Sequence, residues 1–189
     1  VINIIQKKPE DLDGVLVSGV LNEYGDIDAH GRFAFTRKKL SLSTSIGWHE
    51  HDSSTDVGGS DESMADDFGR RFSITSEGVF RINDDARVRF GAAHARNERG
   101  AFEFAGTLPE EDFSSSVVRL HAALERDLDS GSFYIRWFGN FEDTYSPQLW
   151  GYNAAENDLE AQITRELSEK HSLTLGGNIR SVAVDFEDR

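Results

Sequence analysis

Residues 40–48 read LSLSTSIGW. Leu40, Leu42, Thr44, Ile46 and Trp48 share one parity, and Ser41, Ser43, Ser45 and Gly47 the other. Successive side chains point to opposite faces of a β-strand, so this spacing predicts a strand with one apolar face and one small polar face. The period returns in RRFSITSEGVFRI (70–82), where Phe72, Ile74, Phe80 and Ile82 alternate with Arg71, Ser73, Glu77 and Arg81. It returns again in SVVRLHAALER (116–126), with Val118, Leu120, Ala122 and Leu124 set against Arg119, His121, Ala123 and Glu125.

Extended over the chain, the pattern predicts nine strands, at 14–24, 28–37, 40–50, 69–82, 86–97, 113–127, 132–142, 157–168 and 171–184. The rival is a helix over 154–170, where AAENDLEAQITRELSEK has a helical composition. The connections alternate in length. RKK, NDD, DLDSG and SEKH are short, whereas HDSSTDVGGSDESMADD, ERGAFEFAGTLPEED and EDTYSPQLWGYNAAEN are long. The first hairpin, GDID, is the exception. Short turns on one rim and long loops on the other are the habit of outer-membrane barrels. Pro9, Pro109 and Pro147 all fall outside the strands, as ladder hydrogen bonding requires.

The two faces have different chemistry. One is apolar, with Arg165 as its clearest charged exception, close enough to a short turn to snorkel. The other carries Arg32, Glu77, Arg89, Arg119, Glu125, Arg136, Glu160 and Arg180. In a bilayer the first face meets lipid and the second lines a wet lumen; a soluble barrel turns the same letters inside out. The tryptophans and tyrosines, Trp48 and Trp137 among them, suit either interfacial girdles or binding loops. A net charge of −14 with no basic stripe argues against nucleic acid as a partner. The absence of cysteine excludes a disulfide scaffold and thiolate metal sites.

At the start of the chain, VINIIQKKP (1–9) is followed by the amphipathic strand GVLVSGVLNEYG (14–25). This resembles the junction of plug and barrel in TonB-dependent outer-membrane receptors, whose plug commonly closes on Gly-Val-Ile-Asn-Ile-Ile-Thr-Lys. Val1, Ile2, Asn3, Ile4, Ile5 and Lys7 match that pattern, and Gln6 takes the threonine place. The resemblance implies that residues 1–9 are the last plug strand and its linker. Residues 10–189 are then the N-terminal part of an antiparallel transmembrane β-barrel, nine up-and-down strands of about 22, and the chain is an excerpt of a longer receptor.

The function so implied is active uptake of a scarce nutrient across the bacterial outer membrane, a ferric siderophore first, or cobalamin, a sugar or a metal. Its partners are the TonB energy-transducing complex, reached through the plug, together with outer-membrane lipid and the small-molecule or metal-chelate substrate. No cofactor is implied. Two other readings of the alternation stay open, a passive outer-membrane channel and a soluble lipocalin-like ligand binder.

Candidate contact residues lie toward the long loops. His49 and His51 share a face at the mouth of the third strand and precede Asp52, so imidazole and carboxylate are available to a divalent metal, although a solvated acidic loop explains the segment as well. Tyr145, Gln148, Trp150 and Tyr152 in TYSPQLWGY offer stacking and hydrogen bonding to a substrate, or packing over the barrel mouth. Arg96 and Arg99 offer guanidinium forks to a carboxylate-bearing ligand. His94, His121 and His171 are scattered, and no nucleophile elbow or triad order appears, so the chain does not read as an enzyme.

Overall fold

A computed structural model describes residues 9–23, 25–51, 68–99, 113–146 and 151–187. Of the expected plug strand and linker, 1–9, residues 1–8 lie outside them, as do Asp52, Gln148 and Trp150. After a 3-10 turn at Pro9–Asp11 come nine strands: β1 (Gly14–Leu21), β2 (Ile27–Arg37), β3 (Leu40–His51), β4 (Gly69–Arg81), β5 (Ala86–Arg99), β6 (Phe113–Leu128), β7 (Gly131–Tyr145), β8 (Gly151–Ser168) and β9 (His171–Glu187). They form one antiparallel up-and-down sheet in the order β1 to β9, and the sheet is not closed. The all-β meander is therefore the one the alternation predicts.

The boundaries depart furthest from expectation between β7 and β8. β7 runs on to Tyr145 and β8 begins at Gly151, so the connection between them is 146–150 and not the long loop read from composition. Pairing decides this, since Glu142, Asp143 and Thr144 sit opposite Ala154, Asn153 and Tyr152. The alanine- and glutamate-rich stretch 154–168 is strand and not helix. Its backbone groups are taken by β7 on one side and β9 on the other, which overrides local propensity. At the first hairpin β1 stops at Leu21, and the Asn22 side chain accepts a hydrogen bond from the Asp26 backbone N–H at 2.9 Å.

Connections 22–26, 52–68, 100–112 and 146–150 leave one rim, and 38–39, 82–85, 129–130 and 169–170 leave the other. The segregation of short turns to one rim thus holds, with less contrast than the sequence suggested.

The register adds geometry that alternation does not contain. One row of directly opposed residues runs Arg37, Leu40, Phe80, Val88, Leu124, Ile135, Ala161 and Gly177 from β2 to β9. The short turns recede from this row along the sheet. The first follows Arg37 at once; the third closes at Leu128, four residues past Leu124; the fourth closes at Ser168, seven past Ala161.

The apolar band slides the same way. It runs from Leu40 to Trp48 on β3, from Phe133 to Phe141 on β7, and its large side chains on β9 run from Leu173 to Ile179. Against the row the band moves two residues over the four strands from β3 to β7 and four to six over the six strands to β9, more slowly than the short turns, which move seven over the six strands from β2 to β8. For the short turns, about one residue per strand, or about 3.3 Å along a strand for every 4.8 Å across the sheet, corresponds to a strand tilt of about 35°, within the range of closed barrels.

Among the described residues no hydrophobic core backs the sheet. Among the described residues the buried hydrophobics are Ala34 and Val79, 2% and 3% exposed, and both lie on the charged face. Val15, Val17, Phe33, Ile46, Leu159 and Ile179 stand exposed on the apolar face.

Candidate functional site: the charged face

Alternation collects the polar side chains of β4 to β9 on one face, where cross-strand neighbours are close enough to pair. On β8, Glu156, Asp158 and Glu160 share that face. Arg180 of β9 lies opposite Asp158 and donates from Nε to it at 2.9 Å, with Glu156 at 3.2 Å. Arg136 of β7 lies opposite Glu160 and donates from Nε at 2.8 Å, and the Tyr134 hydroxyl donates to the same carboxylate. The Arg136 guanidinium also sits 5.5 Å from the Tyr134 ring centre. Further along, Glu125 of β6 takes Arg87 at 2.6 Å and Arg89 at 3.8 Å. Arg119 donates to the Asn140 amide oxygen at 3.3 Å.

Of these, Arg89 with Glu125, Arg136 with Glu160, and Arg180 with Asp158 and Glu156 border a groove of about 590 Å³ that Ala123 and Phe138 also line. Arginine and carboxylate alternate along it, so most fixed charge is met within the sheet, and no single sign dominates. Such a wall holds water and polar solutes and offers hydrogen bonds without trapping one ion. No protein-family model, curated protein or solved structure matches the chain.

The charged ladder read from the sequence is assembled on this face. Glu156, Asp158 and Tyr134 belong to it as well and were not singled out. Asp158 and Tyr134 fall inside expected strands and share parity with Glu160 and Arg136, which is the signal that finds them; Glu156 precedes the expected start at 157.

The candidate contact residues near the long-loop rim are not brought together. Arg96 and Arg99 are three apart on one strand and so point to opposite faces: Arg96 opposes Phe72, on the apolar side, and Arg99 opposes Gly69. Arg96 pairs with Glu98 at 2.7 Å, and the Arg99 guanidinium lies 5.1 Å from the Phe113 ring centre. They do not converge on one anion.

Tyr145 and Tyr152 are also split, each within a strand and not in a loop. Tyr145 opposes Ser114 toward the apolar side; Tyr152 opposes Thr144, donates its hydroxyl to Glu142 at 2.6 Å and packs its ring near Phe186. His49 and His51 do share the charged face, each beside an aspartate: His49 Nδ1 lies 3.8 Å from Asp28, and His51 Nδ1 lies 2.6 Å from Asp26. Among the described residues no group of three or more metal-ligating side chains is gathered. His94 stands on the apolar face, edge-on to Phe72 and 3.1 Å from the Ser116 hydroxyl.

Proposed function

We propose that the chain is part of a TonB-dependent outer-membrane receptor that takes up a scarce nutrient, with a ferric siderophore the first candidate substrate. The observation that carries the membrane reading is the slanted apolar band. An amphipathic sheet must bury its apolar face, and none of the described residues covers this one. A soluble partner layer has no reason to follow the strand ends. A bilayer does, because its hydrocarbon boundary is perpendicular to the barrel axis while the strands are tilted.

The lower border of the band moves in the same direction as the short turns, by four residues over the six strands from β3 to β9. Leu40 to Trp48, tilted at about 35°, spans about 22 Å, near the height of the apolar belt of outer-membrane barrels. The paired charges of the other face then line a wet interior. Only closed barrels cross a membrane as strands, so the reading also requires further strands to join the free edges of β1 and β9. The receptor class rests on the plug-like motif of Val1, Ile2, Asn3, Ile4, Ile5 and Lys7.

The test is fractionation of cell envelopes, probed with an antibody against SDESMADD (60–67). The expected result is a band in the outer-membrane fraction whose gel mobility changes on boiling, with growth on limiting iron impaired in the deletion strain. A band in the soluble fraction overturns the membrane reading, and a membrane band with unimpaired uptake of every nutrient tested overturns the receptor reading alone.

A further inference from the structure

The outward face ends differently at its two rims. Toward the short turns three arginines stand on it, at the lower border of the apolar band: Arg37 is the last residue of β2, Arg126 lies two residues before the end of β6, and Arg165 lies three before the end of β8. Their cross-strand partners are apolar or small, Leu40, Phe133 and Gly131 respectively. All three are exposed. Among the described residues Arg37 and Arg126 have no ion-pair partner, and Arg165 reaches only the Ser130 hydroxyl, at 3.1 Å. Alternation puts the neighbouring acids, Asp127 and Glu166, on the opposite face.

Toward the long loops the same outward face carries Glu50, Glu98, Asp143 and Asp185. The two arginines there are already neutralised, Arg70 by Glu50 at 2.9 Å and Arg96 by Glu98 at 2.7 Å.

We infer that Arg37, Arg126 and Arg165 form a lipid-phosphate girdle that binds the head groups of anionic phospholipid in the leaflet on the short-turn side. The inference rests on the membrane reading above and deepens it by naming the lipid class and the leaflet. The chemistry is specific. A guanidinium at the edge of an apolar belt lays its stem on hydrocarbon and its planar fork at the depth of the phosphate, which it meets with two hydrogen bonds. Free arginines on one rim and self-paired arginines among carboxylates on the other give the barrel a preferred side for anionic lipid.

The experiment uses the intact protein inserted in vesicles of phosphatidylcholine containing spin-labelled phosphatidylglycerol or spin-labelled phosphatidylcholine. Motionally restricted spin label reports the lipid held at the protein surface. The expected result is a preference for phosphatidylglycerol that falls by about fivefold per site when the arginines are replaced, as R37Q, R126Q and R165Q singly and together. The lysine versions retain most of the preference, whereas E50Q with E98Q does not lower it. An inserted triple variant with the wild-type preference overturns the girdle and leaves the membrane reading intact. A chain that stays in the aqueous phase and restricts neither label overturns both.

Discussion

His121 on β6 and Glu77 on β4 meet at 3.1 Å although β5 runs between their strands. The row is Glu77, Gly91, His121, and the middle position has no side chain. Two strand spacings separate the outer backbones by about 10 Å, a gap that the two side chains close by leaning toward each other over the glycine. A Cβ at Gly91 would stand 2.3 Å from His121 Cε1 and 2.8 Å from Glu77 Oε2, so the contact exists only because that position is empty.

Gly91→Ala should therefore uncouple the pair without unfolding the sheet, because both side chains are partly exposed and can swing away. A double-mutant cycle of E77Q and H121Q should give a coupling of about 0.5 kcal/mol, discounted for solvent screening. The cycle repeated in the G91A background should give none. An unchanged coupling would mean that the two groups interact by another route.

On the apolar face the Phe90 ring lies over Gly78, where a Cβ would come within 2.4 Å of the ring. An aromatic laid over a strand glycine covers exposed backbone and fixes register. Gly78→Ala should cost about 1–3 kcal/mol by overpacking, while the same change with Phe90→Leu should cost clearly less than the sum of the two alone. Urea titration of folded protein in detergent or lipid reads both, and strict additivity would remove the ring from the explanation.

Lys38, first residue of the two-residue turn between β2 and β3, has φ of 53°. Hairpins with positive φ at that position favour glycine, since a Cβ there crowds the backbone. Lys38→Gly should stabilise the protein by about 0.5–1 kcal/mol, the left-handed penalty of about 1–2 kcal/mol less the extra chain entropy glycine loses on folding, seen as a higher urea midpoint at unchanged slope. A lower midpoint would show that the lysine head group does more for the turn than its backbone costs.

Ala122 lies in the middle of the apolar band and Thr75 at a similar depth on the charged face. If lipid covers the band, Ala122→Arg should destabilise the inserted protein by about 2–4 kcal/mol, and Thr75→Arg should change it by less than about 1 kcal/mol. Equal costs would place both faces in the same solvent and argue for a soluble sheet.

Much of this was legible in the residue order. Alternation is a local property of extended backbone, so parity alone placed Leu40 to Trp48 on one face and Glu77, Arg136, Glu160 and Arg180 on the other. Parity also implied that Arg96 and Arg99, three apart, diverge, a consequence that grouping them by proximity in sequence had obscured. Turn chemistry placed 38–39 and 169–170. Strand ends were less legible where composition and pairing disagree: Gly151 to Glu156 reads as loop or helix until β7 and β9 take up its backbone groups.

What the sequence determined by itself is which side chains share a face, because that depends only on backbone geometry within one strand. What only the tertiary structure decided is the register between strands. Register set the drift of the apolar band, gathered Glu156, Asp158 and Arg180, and opened a path over Gly91 for His121 to reach Glu77. Those relations join residues distant in sequence, and they are fixed by hydrogen-bond ladders and cross-strand packing that no single strand contains.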